Sequence, residues 1–214
     1  TCRSSPEMLV IAPDFDRTIE LDGVGPTPRP VSIDQAATGF ADLVSLRVYD
    51  FVPGPPIVGE AEGDEVIVAL LAGAVTIEVT GVHEGAFTLD ADGDWAVTLP
   101  PRHRYRLDPL TPATVAYARA RPDASGPPRA LRPVSGVLAV ECDRLRLRLL
   151  PLQGDTDLSA GLDGGLERIA LVTGPATLSD GTALPPMTAV ALAPGEGARV
   201  EGEGDLLVAG ALRP

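Results

Sequence analysis

Few residue types in this chain can do chemistry, and the ones that can are concentrated in its first half. It has two histidines, His83 and His103, and an acidic run in which Glu60 and Glu62 flank Ala61 and Glu65 follows. A set of Glu60, Glu62, Glu65 and His103 would offer carboxylate oxygens and one imidazole to a hard or borderline divalent cation able to polarise a carbonyl. Ungrouped acids on a Gly-rich loop are usually solvated, so an exposed acidic loop with no cofactor is the favoured reading, and a divalent metal is the alternative.

Arg102, Arg104 and Arg106 occupy alternate positions, as do Arg144, Arg146 and Arg148, so each trio lines one face of a strand. The simplest use of such ladders is to face solvent or pair with surplus Asp and Glu. The functional alternative is that Arg102 or Arg104 holds a carboxylate or phosphate bidentately. His103 and Tyr105 alternate with them and are expected to point inward, as satisfied buried polar groups or as donors in a pocket. The candidate ligand-binding residues are thus His103, Tyr105, Arg102 and Arg104. No Ser-His-Asp order, phosphate loop or zinc spacing is present.

The elements that would position these residues read as strands. Residues 43–51 (LVSLRVYDF) alternate and are rich in β-formers, and Pro53-Gly54-Pro55-Pro56 ends them. Short strands follow at 65–71, 74–80, 86–89, 95–99, 105–107 and 114–118, punctuated by Gly73, Gly81, Asp92-Gly93, Pro100-Pro101 and Pro109. Residues 121–133 (RPDASGPPRALRP) are the strongest linker signal. Beyond them, strands are expected at 137–142, 144–150, 168–172, 176–178, 189–192 and 206–209, with a helical turn conceivable only at 158–166. The division that results is an N-terminal arm with short strands (1–42), a first barrel (43–120), a linker (121–133) and a second barrel (134–214).

The 214 residues carry a formal charge of -13, and every basic side chain is Arg. Phosphate-backbone binding needs clustered cations, so a nucleic-acid partner is excluded. No apolar run is long enough for a membrane helix, and no signal segment opens the chain. Two cysteines, Cys2 and Cys142, are too few for a disulfide framework, which with the rest implies a cytoplasmic setting. Exposed strand edges would permit a homodimer.

Two Glu-to-Gly blocks, EVIVALLAG at 65–73 and ERIALVTG at 167–174, fall at matching places in the two halves. Glu167, six residues and Gly174 resemble the tail of the first cupin motif, G-x5-H-x-H-x3,4-E-x6-G. Pro194-Gly195 before Gly197 resembles the second, G-x5-P-x-G-x2-H, as does Gly93-Asp94 followed by Pro100-Pro101. The resemblance implies an all-β bicupin, two cupin-like jelly-roll barrels in tandem. Within the cupins, Leu46-Arg47-Val48 followed by the block ending in L-x-G is similar to the 5-deoxyglucuronate isomerase family. Family metal sites use three His and one Glu, which this chain cannot assemble in either half. The second half retains only Glu167, so no metal is expected there and no catalytic residue is carried over. The expected function is that of a degenerate bicupin that binds a small polar or acidic metabolite or serves as a scaffold. The alternative is a metal-dependent sugar-acid isomerase-like enzyme with a carboxylate-rich site in the first barrel.

Overall fold

The structure, a computed structural model, describes residues 8–122 and 126–213. Cys2 and residues 123–125 of the expected linker lie outside them. The arm contributes β1 (Leu9–Ile11), β2 (Thr18–Leu21), β3 (Gly25–Pro28) and β4 (Val31–Asp34), then one helical turn, α1 (Gln35–Thr38). The turn forms here because Asp34 caps it, its Oδ1 accepting the Ala36 and Ala37 N–H groups at 3.0 and 3.1 Å, and Gly39 closes it with φ of 72°. No helix forms at 158–166, where the three glycines leave turns.

The first long run follows: β5 (Leu43–Phe51), β6 (Ile57–Glu60), β7 (Glu65–Ala72), β8 (Val75–Thr80), β9 (Gly85–Leu89), β10 (Ala96–Leu99), β11 (Arg104–Pro109) and β12 (Ala113–Ala120). The second comprises β13 (Arg129–Leu131), β14 (Leu138–Glu141), β15 (Leu145–Pro151), β16 (Thr156–Asp157), β17 (Glu167–Val172), β18 (Ala176–Leu178), β19 (Ala183–Leu184), β20 (Ala189–Leu192), β21 (Arg199–Gly202) and β22 (Asp205–Ala211). The expected strands are all present; β6, β13, β16, β19 and β21 are additional, being short and poor in β-branched alternation. β13 lies within the segment read as linker.

The two runs fold by one plan. One large sheet has the order β13-β10-β7-β12-β5-β4, and its counterpart β1-β20-β17-β22-β15-β14; the small sheets run β6-β11-β8-β9 and β16-β21-β18-β19. The sheets stay open as jelly-roll sandwiches and do not close into barrels. Each large sheet takes its first edge strand from the segment that precedes the other run: β1 pairs with β20, and β13 with β10. The exchange is reciprocal.

Strand alternation distributes apolar side chains to both faces of each large sheet, so the core has three layers. Between the large sheets lie Leu46, Val48, Ile67, Ala69, Leu145, Leu147, Ile169 and Leu171. Val66, Val68, Leu70, Val115 and Leu107 fill the first sandwich, and Leu158, Leu162, Leu166, Val172 and Val208 the second. The leucines that alternate with Arg146 and Arg148 are buried between the two large sheets.

Candidate functional site

Glu65 opens β7, and strand alternation decides what it can reach. It shares a face with Ile67 and Ala69, which pack between the two large sheets, while Val66, Val68 and Leu70 point into the first sandwich. The buried carboxylate therefore faces away from the sandwich interior and accepts the backbone N–H groups of Asp143, at 3.2 Å, Arg144, at 2.7 Å, and Leu145, where the chain enters β15. Glu167 mirrors it, accepting the N–H groups of Ala41, Asp42 and Leu43, at 2.8, 2.7 and 3.0 Å, where the chain enters β5. Each Glu ties its own sandwich to the first long strand of the other.

The glycine ends of the same blocks are explained by close approach. A Cβ on Gly73, whose φ is +84°, would lie 2.2 Å from the Pro112 carbonyl oxygen, and one on Gly174 would lie 2.3 Å from that of Glu203. The Glu-to-Gly repeat is thus a structural device at both ends.

The remaining members of the expected metal set are also committed elsewhere. Glu60 pairs with Arg104 at 3.2 Å on the exposed face, and Glu62 lies 3.7 Å from Arg119. His103 is fully buried, its Nδ1 3.0 Å from the carbonyl oxygens of both Pro100 and Pro101, while its Nε2 accepts the His83 N–H at 3.1 Å. An Nε2 that accepts carries no proton, so Nδ1 is the donor and the imidazole is neutral with neither nitrogen spare. His83, an exposed loop residue, stacks on it at 5.8 Å between ring centroids. Glu60, Glu62, Glu65 and His103 do not converge, and among the described residues no group of three His, Cys, Asp or Glu side chains is arranged to hold a metal. The donor set does not fit such a cation.

Arg102 and Arg104 do not line the cavity of the first sandwich, although Arg104 holds Glu60, which does. Arg104 is on the outer face with Glu60, Arg106 binds its neighbour Asp108 at 2.9 Å, and Arg102 sits in a turn with φ of 64°. Cys142 is half-buried with a free thiol that burial pushes up to about 12, so it is no thiolate nucleophile at neutral pH.

What the first sandwich does hold is a cavity of about 270 Å³ at its mouth, beneath the β2–β3 hairpin. The inward positions of β5 supply Arg47, Tyr49 and Phe51, those of β12 supply Tyr117 and Arg119, and β11 supplies Tyr105. The chain has three tyrosines, and all of them line this cavity. Tyr49 stacks on Phe51 at 5.6 Å and meets Tyr117 edge-on at 5.3 Å. Tyr105 lies across Gly59, where a Cβ would come within 2.4 Å of its ring, so the glycine makes room for the phenol.

The polar groups of the cavity are under-used. Arg119 reaches Asp64 at 3.1 Å and the Ala61 carbonyl at 3.1 Å, which balances its charge. Arg47 has no carboxylate within ion-pair distance among the described residues, and the buried Nε atoms of Arg47 and Arg119 have no hydrogen-bond partner. Arg29 stands 5.9 Å from the Tyr49 ring centroid as a cation–π neighbour. The Tyr105 and Tyr117 hydroxyls are neighbours, but their geometry falls short of a hydrogen bond, and the Tyr117 Oη is buried without a partner. Burial pushes Tyr105 up to about 12 and Tyr117 well above its ordinary value, so both remain protonated donors at neutral pH.

Tyr105 is the one expected ligand-binding residue that the structure brings to the cavity. Arg47 and Arg119 were missed, because single arginines within otherwise apolar strands give no pattern; the alternation Arg47, Tyr49, Phe51 along one face was the available signal.

The second sandwich is filled differently. Its mouth is packed by Leu158, Leu162 and Leu166 and by Arg168, which is 1% exposed and donates to the Glu196 carbonyl. Gly210 lies against the aliphatic stem of Arg168, a Cβ there coming 3.3 Å from Arg168 Cγ and equally close to Leu162 and Leu166. Burial lowers the Arg168 pKa, opposed by Asp157, Asp163 and Glu196.

No family model matches the chain, and no curated protein matches it in sequence. Solved structures do match. YlbA from E. coli, described by the family model DUF861, superposes with a TM-score of 0.73 at 10% identity over 98% of this chain and 93% of that one. The bacterial pirin YhhW from E. coli, in complex with nickel(II), gives 0.66 at 13% identity over 96% and 100%. Quercetin 2,3-dioxygenase from Acinetobacter baumannii gives 0.66 at 11% identity over 95% and 78%. These likenesses establish the cupin fold. Among the described residues, no helix is long and apolar enough to cross a membrane.

Proposed function

We propose that this protein is a bicupin without a metal centre that binds a small acidic metabolite in the cavity of its first sandwich. In this reading residues 43–120 form the binding unit, and residues 134–214 form a filled unit that supports it. The observation that carries it is the set of unpartnered polar atoms on the cavity wall: Arg47 Nε, Arg119 Nε and Tyr117 Oη are buried and unsatisfied. A buried polar group without a partner costs about 1–3 kcal/mol. A bound ligand that accepts from these donors would offset that cost, and the surrounding aromatic surface is what a small-molecule site offers.

A thermal-shift screen with organic acids and sugars tests this, read together with near-UV dichroism of the tyrosines. A ligand at about 100 times its Kd should stabilise by about 2.7 kcal/mol and should perturb the tyrosine bands, which report on this cavity alone. A ligand that perturbs Trp95 and leaves the tyrosines unchanged would place binding elsewhere and overturn the reading. So would stoichiometric bound metal that is lost in Glu62→Ala.

A further inference from the structure

We propose that the ligand of this cavity is an aromatic monocarboxylate, its acid group against Arg47 and the tyrosine hydroxyls and its ring among Tyr49, Phe51 and Tyr105. The inference rests on the cavity being the binding site and narrows what enters it. Three features of the wall select this class.

The first is charge. Within a chain of formal charge -13, the cavity wall carries two guanidinium groups and one carboxylate, Glu60, which is paired with Arg104 at 3.2 Å. Arg119 is already balanced by Asp64 at 3.1 Å, while Arg47 is unbalanced among the described residues. Arg47 thus offers one unbalanced positive charge on the wall itself, the complement of a monocarboxylate.

The second is the kind of hydrogen bonds on offer. The unpartnered atoms at the wall, Arg47 Nε, Arg119 Nε and Tyr117 Oη, all present N–H or O–H groups. A carboxylate only accepts, so it satisfies donors from a fork and a phenol together, whereas an amide would turn its own N–H groups toward them. The third is the rest of the surface. Beyond these groups and Glu60, which Arg104 holds at 3.2 Å, the wall is Ile19, Leu21, Phe51, Ile57, Val58 and Val66 with the tyrosine rings, which gives a flat ring several faces to pack on.

Calorimetric titration of the full chain tests this with benzoate, 4-hydroxybenzoate, benzamide, succinate, inorganic phosphate and glucose, and ring-labelled tyrosines provide the NMR readout. Benzoate or 4-hydroxybenzoate should bind at one site per chain and shift tyrosine resonances, benzamide should bind at least tenfold more weakly, and Arg47→Gln should lose at least tenfold for the acids. Arg47→Lys, which keeps the charge without the fork, should recover part of that loss and guards against a folding artefact in the glutamine variant. If succinate, phosphate, glucose or benzamide shifts the tyrosines with affinity equal to or above the aromatic acids, the ligand class is overturned while the cavity stands as a binding site. If the folded protein binds none of the probes, the class is again overturned. Failure of the metabolite screen to move any tyrosine would remove the site itself.

Discussion

A carboxylate that accepts three backbone N–H groups leaves all of them unsatisfied when it is removed, and Glu65 and Glu167 each hold such a trio. Glu167→Ala should therefore cost about 3 kcal/mol in urea denaturation, against a fraction of that for an exposed Glu such as Glu84. At Glu65 desolvation by burial outweighs the N–H donors and holds the pKa above the usual 4.5. The folded protein then binds that proton more tightly than the unfolded chain does. The associated stability is fully present below pH 4.5 and is lost as pH rises through the raised folded value. Denaturation at a series of pH values should show this downward slope in the parent and a flatter one in Glu65→Gln. Sequence alone pointed to the position of Glu65 but not to its role, because motif spacing fixes where a residue lies along a strand, and only the choice of face separates a metal ligand from a clasp. His103 was legible as an inward residue for the same alternation argument, yet its turn, with the Pro100 and Pro101 carbonyls and the His83 N–H in place, uses both nitrogens locally.

Among elements, the long strands were readable because period-two patterning and β-branched side chains coincide in them, as in β5 and β7. The exchanged edges were not, since β1 and β13 are three residues each and carry no mark of which sheet they join. The glycines that end β7 and β17 were visible as punctuation, and the structure adds that backbone from a neighbouring turn presses on each. Gly73→Ala and Gly174→Ala should each destabilise by roughly 3 kcal/mol, Gly73→Ala more so because its φ of +84° is also costly for alanine. Thermal melting of the two variants beside Gly63→Ala, where a Cβ meets nothing within 4 Å, checks this.

For the molecule as a whole, the largest apolar layer lies between the two large sheets, so neither run can complete its burial alone. Calorimetry should show one unfolding transition with matching calorimetric and van't Hoff enthalpies, and residues 134–213 expressed alone should fail to give a cooperative melt. Two resolved transitions would show that the sandwiches fold as separate units. The same arrangement ties each sandwich to the other through Glu65 and Glu167. The reciprocal edge strands also bear on how the assembly responds to dilution. Two free half-chains making these contacts would be partners at equilibrium and would part as their concentration fell. Here the same exchange occurs within one polypeptide, where the covalent connection sets a fixed effective concentration, so closure of the fold is independent of how scarce the protein becomes.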